Sequence, residues 1–456
     1  MNRRQFLQTT GAVAGLPLLH PSPNQAHRSK TLRINRTNAN FEREPLIRQF
    51  GFKGNFMHEC WQSASLVETE SGLRKIGLAT QNVLYDDADV YSLYSEAGAN
   101  ALLFSLTDQA LRMMRDVPFQ TPIDLMDQLL EPIHKAGIQL TNRPALNKLF
   151  TLNALVGPDN AAWLLYAAEN GYRTFDELIP QPYRTALGYR NKRIAILYSA
   201  SYSLPIADIR RAVEQQGYFV VKIKLGQPGT QAEMLEKDKQ RLTEIHTALK
   251  NLTTPQTPSG RIIYTLDPNA RYERKETLLR LLDHTKKIGA FDQILLIEEP
   301  LFETNEELVG DVGVRLCADE SAHDYEGAVR RLDQGYQALV LKGIAKTLSQ
   351  SMKMAKTAHE RGIPCLCADL TVNPILIDWN KNLAARLKPF PGLDMQLLEA
   401  NGDLNYRNWQ TMVGYHPRGT ASWTRAKQGV FELDDTFYAE SGGILQPSAH
   451  YKAMFR

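Results

Sequence analysis

Two kinds of hydrophobic patterning divide the chain. From about residue 192 onward, short apolar runs alternate with amphipathic stretches. The runs fall at 194–198, 219–224, 262–266, 293–297, 315–318, 338–341, 364–368 and 395–398, and helix-period segments such as 206–216, 234–250 and 274–288 lie between them. Eight strand-helix steps in succession predict an α/β architecture, a (β/α)8 TIM-type barrel over 191–405.

The first half reads differently. A strand-like segment at 31–35 leads into a loop rich in Phe, Arg and Gly up to about residue 55. Runs at 63–70 and 77–80 flank Ser71-Gly72, which predicts a hairpin. Helical periodicity then takes over at 99–115, 122–136 and 159–170, and Asn170-Gly171 supplies a helix stop. Residues 31–190 therefore form a small α+β unit. Residues 406–456, with Trp409, Trp423 and Tyr438, return to irregular patterning and are expected to pack back onto it.

Composition narrows the function classes. At 456 residues the chain is too long for one ordinary domain, and 43% hydrophobic with 23% charged residues is usual for a globular enzyme. A net charge of +3 provides no nucleic-acid stripe or polybasic membrane patch. Four cysteines are too few for a disulfide scaffold, and Cys365 and Cys367 lack the spacing of a zinc or redox pair, so they read as buried thiols. His58-Glu59 lacks the second histidine of a zinc helix motif.

Residues 1–26 open with Arg3-Arg4-Gln5-Phe6-Leu7, followed by an uncharged stretch too short for a stable membrane anchor. The pattern resembles a bacterial twin-arginine export signal, which implies a periplasmic or otherwise exported protein. A plain basic terminus is the alternative.

The informative residues sit where the apolar runs end. Lys222 and Lys224 close the second run, Asp267 and Asn269 follow the third, and Glu298-Glu299 the fourth. Asp319, Lys342, Asp369 and Glu399 end the fifth to eighth. In a barrel all of these gather at the C-terminal rim, where barrel active sites lie. Asp267, Glu298 and Asp319 on adjacent strands offer the hard oxygen ligands that Mg²⁺ prefers. Lys224 and Lys342 flank them, and a divalent cation with a second ammonium nearby is expected to lower their pKa values.

The ordered set K-x-K, D-x-N, I-E-E-P, A-D-E-S and V-L-K resembles the muconate-lactonizing-enzyme subgroup of the enolase superfamily, in the mandelate racemase/muconate lactonizing enzyme family. Residues 67–73 resemble the second hairpin of that superfamily's capping domain, and 159–171 the helix before its barrel. The resemblance implies a modified barrel with an N-terminal α+β capping domain completed by the C-terminal segment. It implies Mg²⁺ on Asp267, Glu298 and Asp319, Lys224 and Lys342 as opposed acid and base, and Lys222 as an electrostatic helper at the substrate carboxylate. Glu299 is expected to point away, into a peripheral salt bridge. Asn269 shares a face with Asp267 and is assigned to metal water or substrate, while the roles of Asp369 and Glu399 stay open.

The implied reaction removes the proton beside a substrate carboxylate and passes through an ene-diolate. Lysines on both faces favour a racemase or epimerase. A dehydratase of an acid sugar and a cycloisomerase are the alternatives, and a non-catalytic binding protein is disfavoured because every ligand and both lysines are present. The run 367–374 does not match the substrate motifs of dipeptide epimerases. The expected partner is a small-molecule carboxylate, with no nucleic acid and no stable membrane anchor. The resemblance also admits a homo-oligomer built through the outer helices. Substrate choice is expected from 38–61, whose Arg and aromatic residues suit an anionic or ring-bearing substrate or pack the cap onto the barrel.

Overall fold

The computed structural model describes residues 30–456, so the export signal expected at 1–26 lies outside the described residues. Three antiparallel strands, β1 (Arg36–Phe52), β2 (Asn55–Glu68) and β3 (Arg74–Gln81), form the cap sheet. Four helices follow: α1 (Val83–Asp86), α2 (Ala88–Met113), α3 (Pro122–Thr141) and α4 (Lys148–Asn170). Their ends are written locally. Thr121 and Asp124 form a capping box with Pro122 at the first turn of α3, and Gly171 closes α4 in the left-handed conformation.

The segment read as a loop to residue 55 is mostly strand. β1 pairs with β2 from Arg36–Glu68 to Phe52–Asn55, with a register shift between Pro45 and Phe50. Conversely, the strand expected at 31–35 contributes only isolated bridges, Leu32 to Phe119 and Ile34 to Arg115.

The barrel comprises β4 (Arg193–Ala200), β5 (Val220–Lys224), β6 (Ile263–Asp267), β7 (Ile294–Glu298), β8 (Leu316–Ala318), β9 (Ala338–Leu341), β10 (Cys365–Cys367) and β11 (Gln396–Glu399). All neighbouring pairs are parallel, and β11 pairs with β4, which closes the ring. Each strand matches one predicted apolar run. Cys365 and Cys367 are buried free thiols. The final segment adds β12 (Val430–Glu432), antiparallel to the start of β4. Its end reaches the cap, where Asn40 Nδ2 donates to the Met454 carbonyl at 3.0 Å and His450 Nε2 lies 2.9 Å from Glu42.

Helix α4 joins the two halves. It is buried from Leu149 to Ala167 between the cap sheet and the barrel. Gly77 on β3 allows the approach, because a Cβ there would lie 2.1 Å from the Gly157 carbonyl and 2.2 Å from the Ala161 nitrogen. On the barrel side, Trp163 Nε1 donates to Ser349 Oγ at 3.1 Å, and Asp159 accepts from the Ser349 hydroxyl at 2.5 Å and its backbone N–H at 3.1 Å. Ser349 lies in the first turn of the helix Leu348–Glu360, whose N-terminus Thr347 caps. No helix among the described residues is long and apolar enough to cross a membrane.

Candidate active site

Alternation along each barrel strand decides which residues face inward, and the last inward residue of each reaches the rim. Lys222 and Lys224 lie on β5, two residues apart on one face, and Lys342 follows β9. In an eight-stranded ring β5 and β9 stand opposite, with the carboxylate-bearing ends of β6, β7 and β8 along the arc between them.

The side chains converge as a buried ionic network. Lys222 Nζ lies 2.8 Å from Glu298, 3.0 Å from Asp267 and 3.0 Å from Glu399. Lys224 Nζ donates to Asp267 at 2.6 Å and to Asn269 Oδ1 at 3.2 Å. Across the barrel, Lys342 Nζ donates to Asp319 Oδ2 at 2.8 Å. Asn269 bridges the two sides, its Oδ1 accepting a hydrogen bond from Lys224 and its Nδ2 donating to Glu320 Oε1 at 3.0 Å. Glu399 also accepts from the Asp369 N–H, and the Asp369 carboxylate accepts from the N–H groups of Leu370, Val372 and Asn401. The nine residues assigned to the site from the strand ends therefore fall in one neighbourhood. One cavity is lined by Lys222, Lys224, Asn269, Asp319, Lys342, Asp369 and Glu399 together.

Burial makes the charges interdependent. Burial alone drives the Lys222 ammonium down, but Asp267, Glu298 and Glu399 outweigh it and hold the group well above its ordinary range. Lys342 is likewise raised, burial being outweighed by Asp319 and Glu320. Of the two lysines expected to have a lowered pKa, Lys342 is thus held up by its carboxylate neighbours instead. Asp319 is held well below the carboxylate range: burial pushes it up, but Lys342, Lys346 and Lys222 prevail. Burial pushes Glu298 up to about 8, with Lys222 opposing and Asp267 adding to the rise. Asp369 is pushed up to about 7 by burial and by Glu399.

Four participants were not evident from the sequence. Lys346 Nζ lies 2.9 Å from Asp319 Oδ1 and donates to the Asp319 carbonyl, so Asp319 is gripped from both ends. Glu320, beside it in A-D-E-S, faces Asn269 and Lys53. From the cap, Tyr85 donates its hydroxyl to Asp319 Oδ1 at 3.1 Å and lays its ring 3.9 Å from Lys342 Nζ. Lys53, at the β1–β2 turn, donates to the Tyr85 carbonyl and lies 3.8 Å from Glu320. Only Lys346 carried a usable signal, one helical turn after Lys342 in K-G-I-A-K.

The hairpin residues divide between two roles. Phe50, Phe52 and Met57 line the site cavity, with the Phe52 ring centre 5.7 Å from Lys224 Nζ. Phe41 instead stacks on Trp61 at 4.1 Å, and Arg43 pairs with Glu59, which is packing within the cap.

Glu299 departs from its expected peripheral salt bridge. Its carboxylate is buried and accepts from the N–H groups of Asp319 and Ser321, and burial pushes it up to about 8. It adopts a left-handed conformation with φ 37°, as do Asn269, Ala270 and Thr371 at the same rim. Strained backbone of this kind collects at functional sites.

No three His, Cys, Asp or Glu side chains among the described residues are arranged to enclose a metal ion. The donor set nevertheless suits a hard divalent cation. Asp267, Glu298 and Asp319 offer only carboxylate oxygens from adjacent strand ends, and Glu298 Oε2 is buried without a hydrogen-bond partner.

Residues 206–404 match the family described as enolase C-terminal domain-like. Solved structures share the fold over most of the chain. A dipeptide epimerase from Enterococcus faecalis, complexed with Mg and the dipeptide L-Leu-L-Tyr, is 16% identical at a TM-score of 0.61, covering 88% of this chain and 98% of its own. A muconate lactonizing enzyme from Mycobacterium smegmatis, complexed with muconolactone, is 14% identical at 0.59, covering 89% and 95%. An N-succinyl Arg/Lys racemase from Bacillus cereus is 16% identical at 0.58, covering 82% and 89%. No curated protein matches the chain.

Proposed function

We propose that this protein, whose barrel is an enolase C-terminal domain-like domain of the mandelate racemase/muconate lactonizing enzyme family, is a racemase or epimerase acting on the carbon beside a substrate carboxylate. The observation that carries the reading is the placement of Lys224 and Lys342 at the ends of opposite strands, with Asp267, Glu298 and Asp319 between them.

A proton beside a carboxylate is weakly acidic because its loss leaves two negative charges on one small group. Mg²⁺, held by Asp267, Glu298 and Asp319, would supply Lewis-acid stabilisation of that charge and relieve the carboxylates' grip on the lysines. Lys222, kept cationic by its carboxylate neighbours, stands beside the same position as a fixed positive charge. Either flanking lysine in its neutral form takes the proton, and the opposite one, as ammonium, returns a proton to the other face, which inverts the centre. Asn269 orients Lys224, and the Tyr85 ring and hydroxyl orient Lys342 and Asp319. Phe50, Phe52 and Met57 keep bulk water from the exchanging proton.

The test is solvent exchange. Protein with Mg²⁺ in D₂O, offered single enantiomers of a broad panel of chiral carboxylic acids, should replace the α-proton of a substrate with deuterium and form the other enantiomer. Lys224→Ala and Lys342→Ala should each block exchange from one enantiomer by about 10³-fold or more. Loss of water without inversion would replace the reading with elimination. If no acid exchanged, or if both variants exchanged like the parent, the two-lysine assignment would be wrong.

A further inference from the structure

A second cavity, sharing no lining residue with the first, opens between the cap and the C-terminal segment. Its volume is about 380 Å³, within the range of small-molecule sites. Its walls come from elements distant in sequence: Leu78 on β3, Leu164 on α4, and Ile375 and Trp379 on the helix Pro374–Ala385, with the chain's last turn across them. Trp379 is 4% exposed, so the wall is a fixed aromatic surface.

The side-chain charge at this cavity is one-sided. Across the whole chain 53 basic residues nearly balance 50 acidic ones. Here the lining carries Arg74, Lys75, Lys452 and Arg456 and no Asp or Glu. Arg74 is engaged with Glu68 at 3.2 Å, whereas Lys75 and Lys452 form no ion pair among the described residues. The apolar wall also desolvates Lys75, which lowers its ammonium. Keeping a half-buried cation beside hydrocarbon without a counter-charge is costly, and an anion with an apolar tail removes the cost at both ends.

We propose that this cavity binds a medium-chain fatty carboxylate, its alkyl chain against Leu78, Leu164, Ile375 and Trp379 and its carboxylate between Lys75 and Lys452. A small inorganic anion would leave the hydrocarbon wall uncovered, and a neutral alkyl chain would leave the half-buried Lys75 ammonium without a counter-charge, beside the exposed Lys452. A second charge on the ligand would have to lie against the apolar wall.

The probe is decanoate, titrated below its micelle range into the full-length protein by calorimetry, with decan-1-ol as the uncharged comparison. The expected result is saturable one-to-one binding of decanoate, at least about tenfold tighter than decan-1-ol, which is about 1.4 kcal/mol. The double variant Lys75→Gln/Lys452→Gln should bind decanoate about tenfold more weakly while its affinity for decan-1-ol and its thermal midpoint stay unchanged. Unaltered alcohol binding shows that the cavity still folds. The proposal is overturned by any of three results: no saturation with decanoate, equal affinity for acid and alcohol, or undiminished decanoate binding in the double variant. Binding only to vesicles of phosphatidylglycerol would assign the patch to a membrane surface, and decanoate-independent dimerisation through it would assign it to a second copy. Either of these also overturns the proposal.

Discussion

Asp159 joins the cap to the barrel through a carboxylate with almost no exposure, and its protonation should set how firmly the halves hold together. Burial raises its pKa from 3.8 to about 7, even though the Ser349 hydroxyl and N–H both donate to it. A carboxyl whose folded pKa lies above its unfolded one stabilises the fold fully below the unfolded value, and that stability is lost as pH rises through the folded value. Each pH unit inside the window from about 4 to 7 costs about 1.4 kcal/mol, so the whole window is worth about 4 kcal/mol. Asp159→Asn cannot ionise and keeps one of the two acceptors for Ser349, and the pH-independent loss of the other drops out of the slope. Between pH 5 and 7 the parent should therefore lose about 2–3 kcal/mol relative to this variant. The assay is urea unfolding of both proteins at half-unit pH steps, read as the difference in free energy so that titrations common to both cancel. A flat difference, or a parent that gains stability as pH rises, would mean that the two hydrogen bonds and the helix N-terminus outweigh burial, and the reasoning would fail.

Other outcomes follow from single contacts. Gly77→Ala drives a methyl into backbone atoms of α4 at 2.1 and 2.2 Å and should cost about 3 kcal/mol or more, seen as a depressed thermal midpoint. Tyr85→Phe keeps the ring over Lys342 but strips the hydroxyl from Asp319, so α-proton exchange should slow about tenfold with unfolding unchanged. Mg²⁺ at about 100 times its dissociation constant should stabilise the parent by about 2.7 kcal/mol, EDTA should reverse this, and Glu298→Gln should lose most of the increment. An unchanged melt with Mg²⁺ would count against the three-carboxylate assignment.

The barrel was legible because its signal repeats. Each step restates one apolar run, one charged end and one helix, so a boundary error in one strand is corrected by the next. The nine site residues at the strand ends are legible for the same reason. The cap gave no such repetition. β1 alternates Arg, Glu and Asn with half-buried residues and carries Pro45 beside its register shift, so local pattern could not separate it from a loop. Tyr85 reaches Asp319 across 234 residues, and only the folded chain brings them together. Glu299 was misplaced for a more local reason. Alternation holds only while the backbone stays extended, and at φ 37° the chain has already turned, sending the side chain to cap the next rim loop.

The coverings of the two lysines have a consequence for stereochemistry. Lys224 lies under Phe52 of the β1–β2 hairpin, whereas Lys342 lies under Tyr85 of α1. On the proposed two-lysine mechanism each face of the stereocentre answers to a different stretch of the cap, and the two stretches are joined by the Lys53 amine on the Tyr85 carbonyl and by Asn82 Nδ2 on Met57 Sδ. Changes in the hairpin should alter the rate from one enantiomer, and changes in α1 the rate from the other. The equilibrium constant between the enantiomers, fixed by the substrate, must stay the same, so any change in one kcat has to be offset by a shift in the KM of one enantiomer or the other. On that mechanism handedness is divided along the cap, and selection has two handles on it.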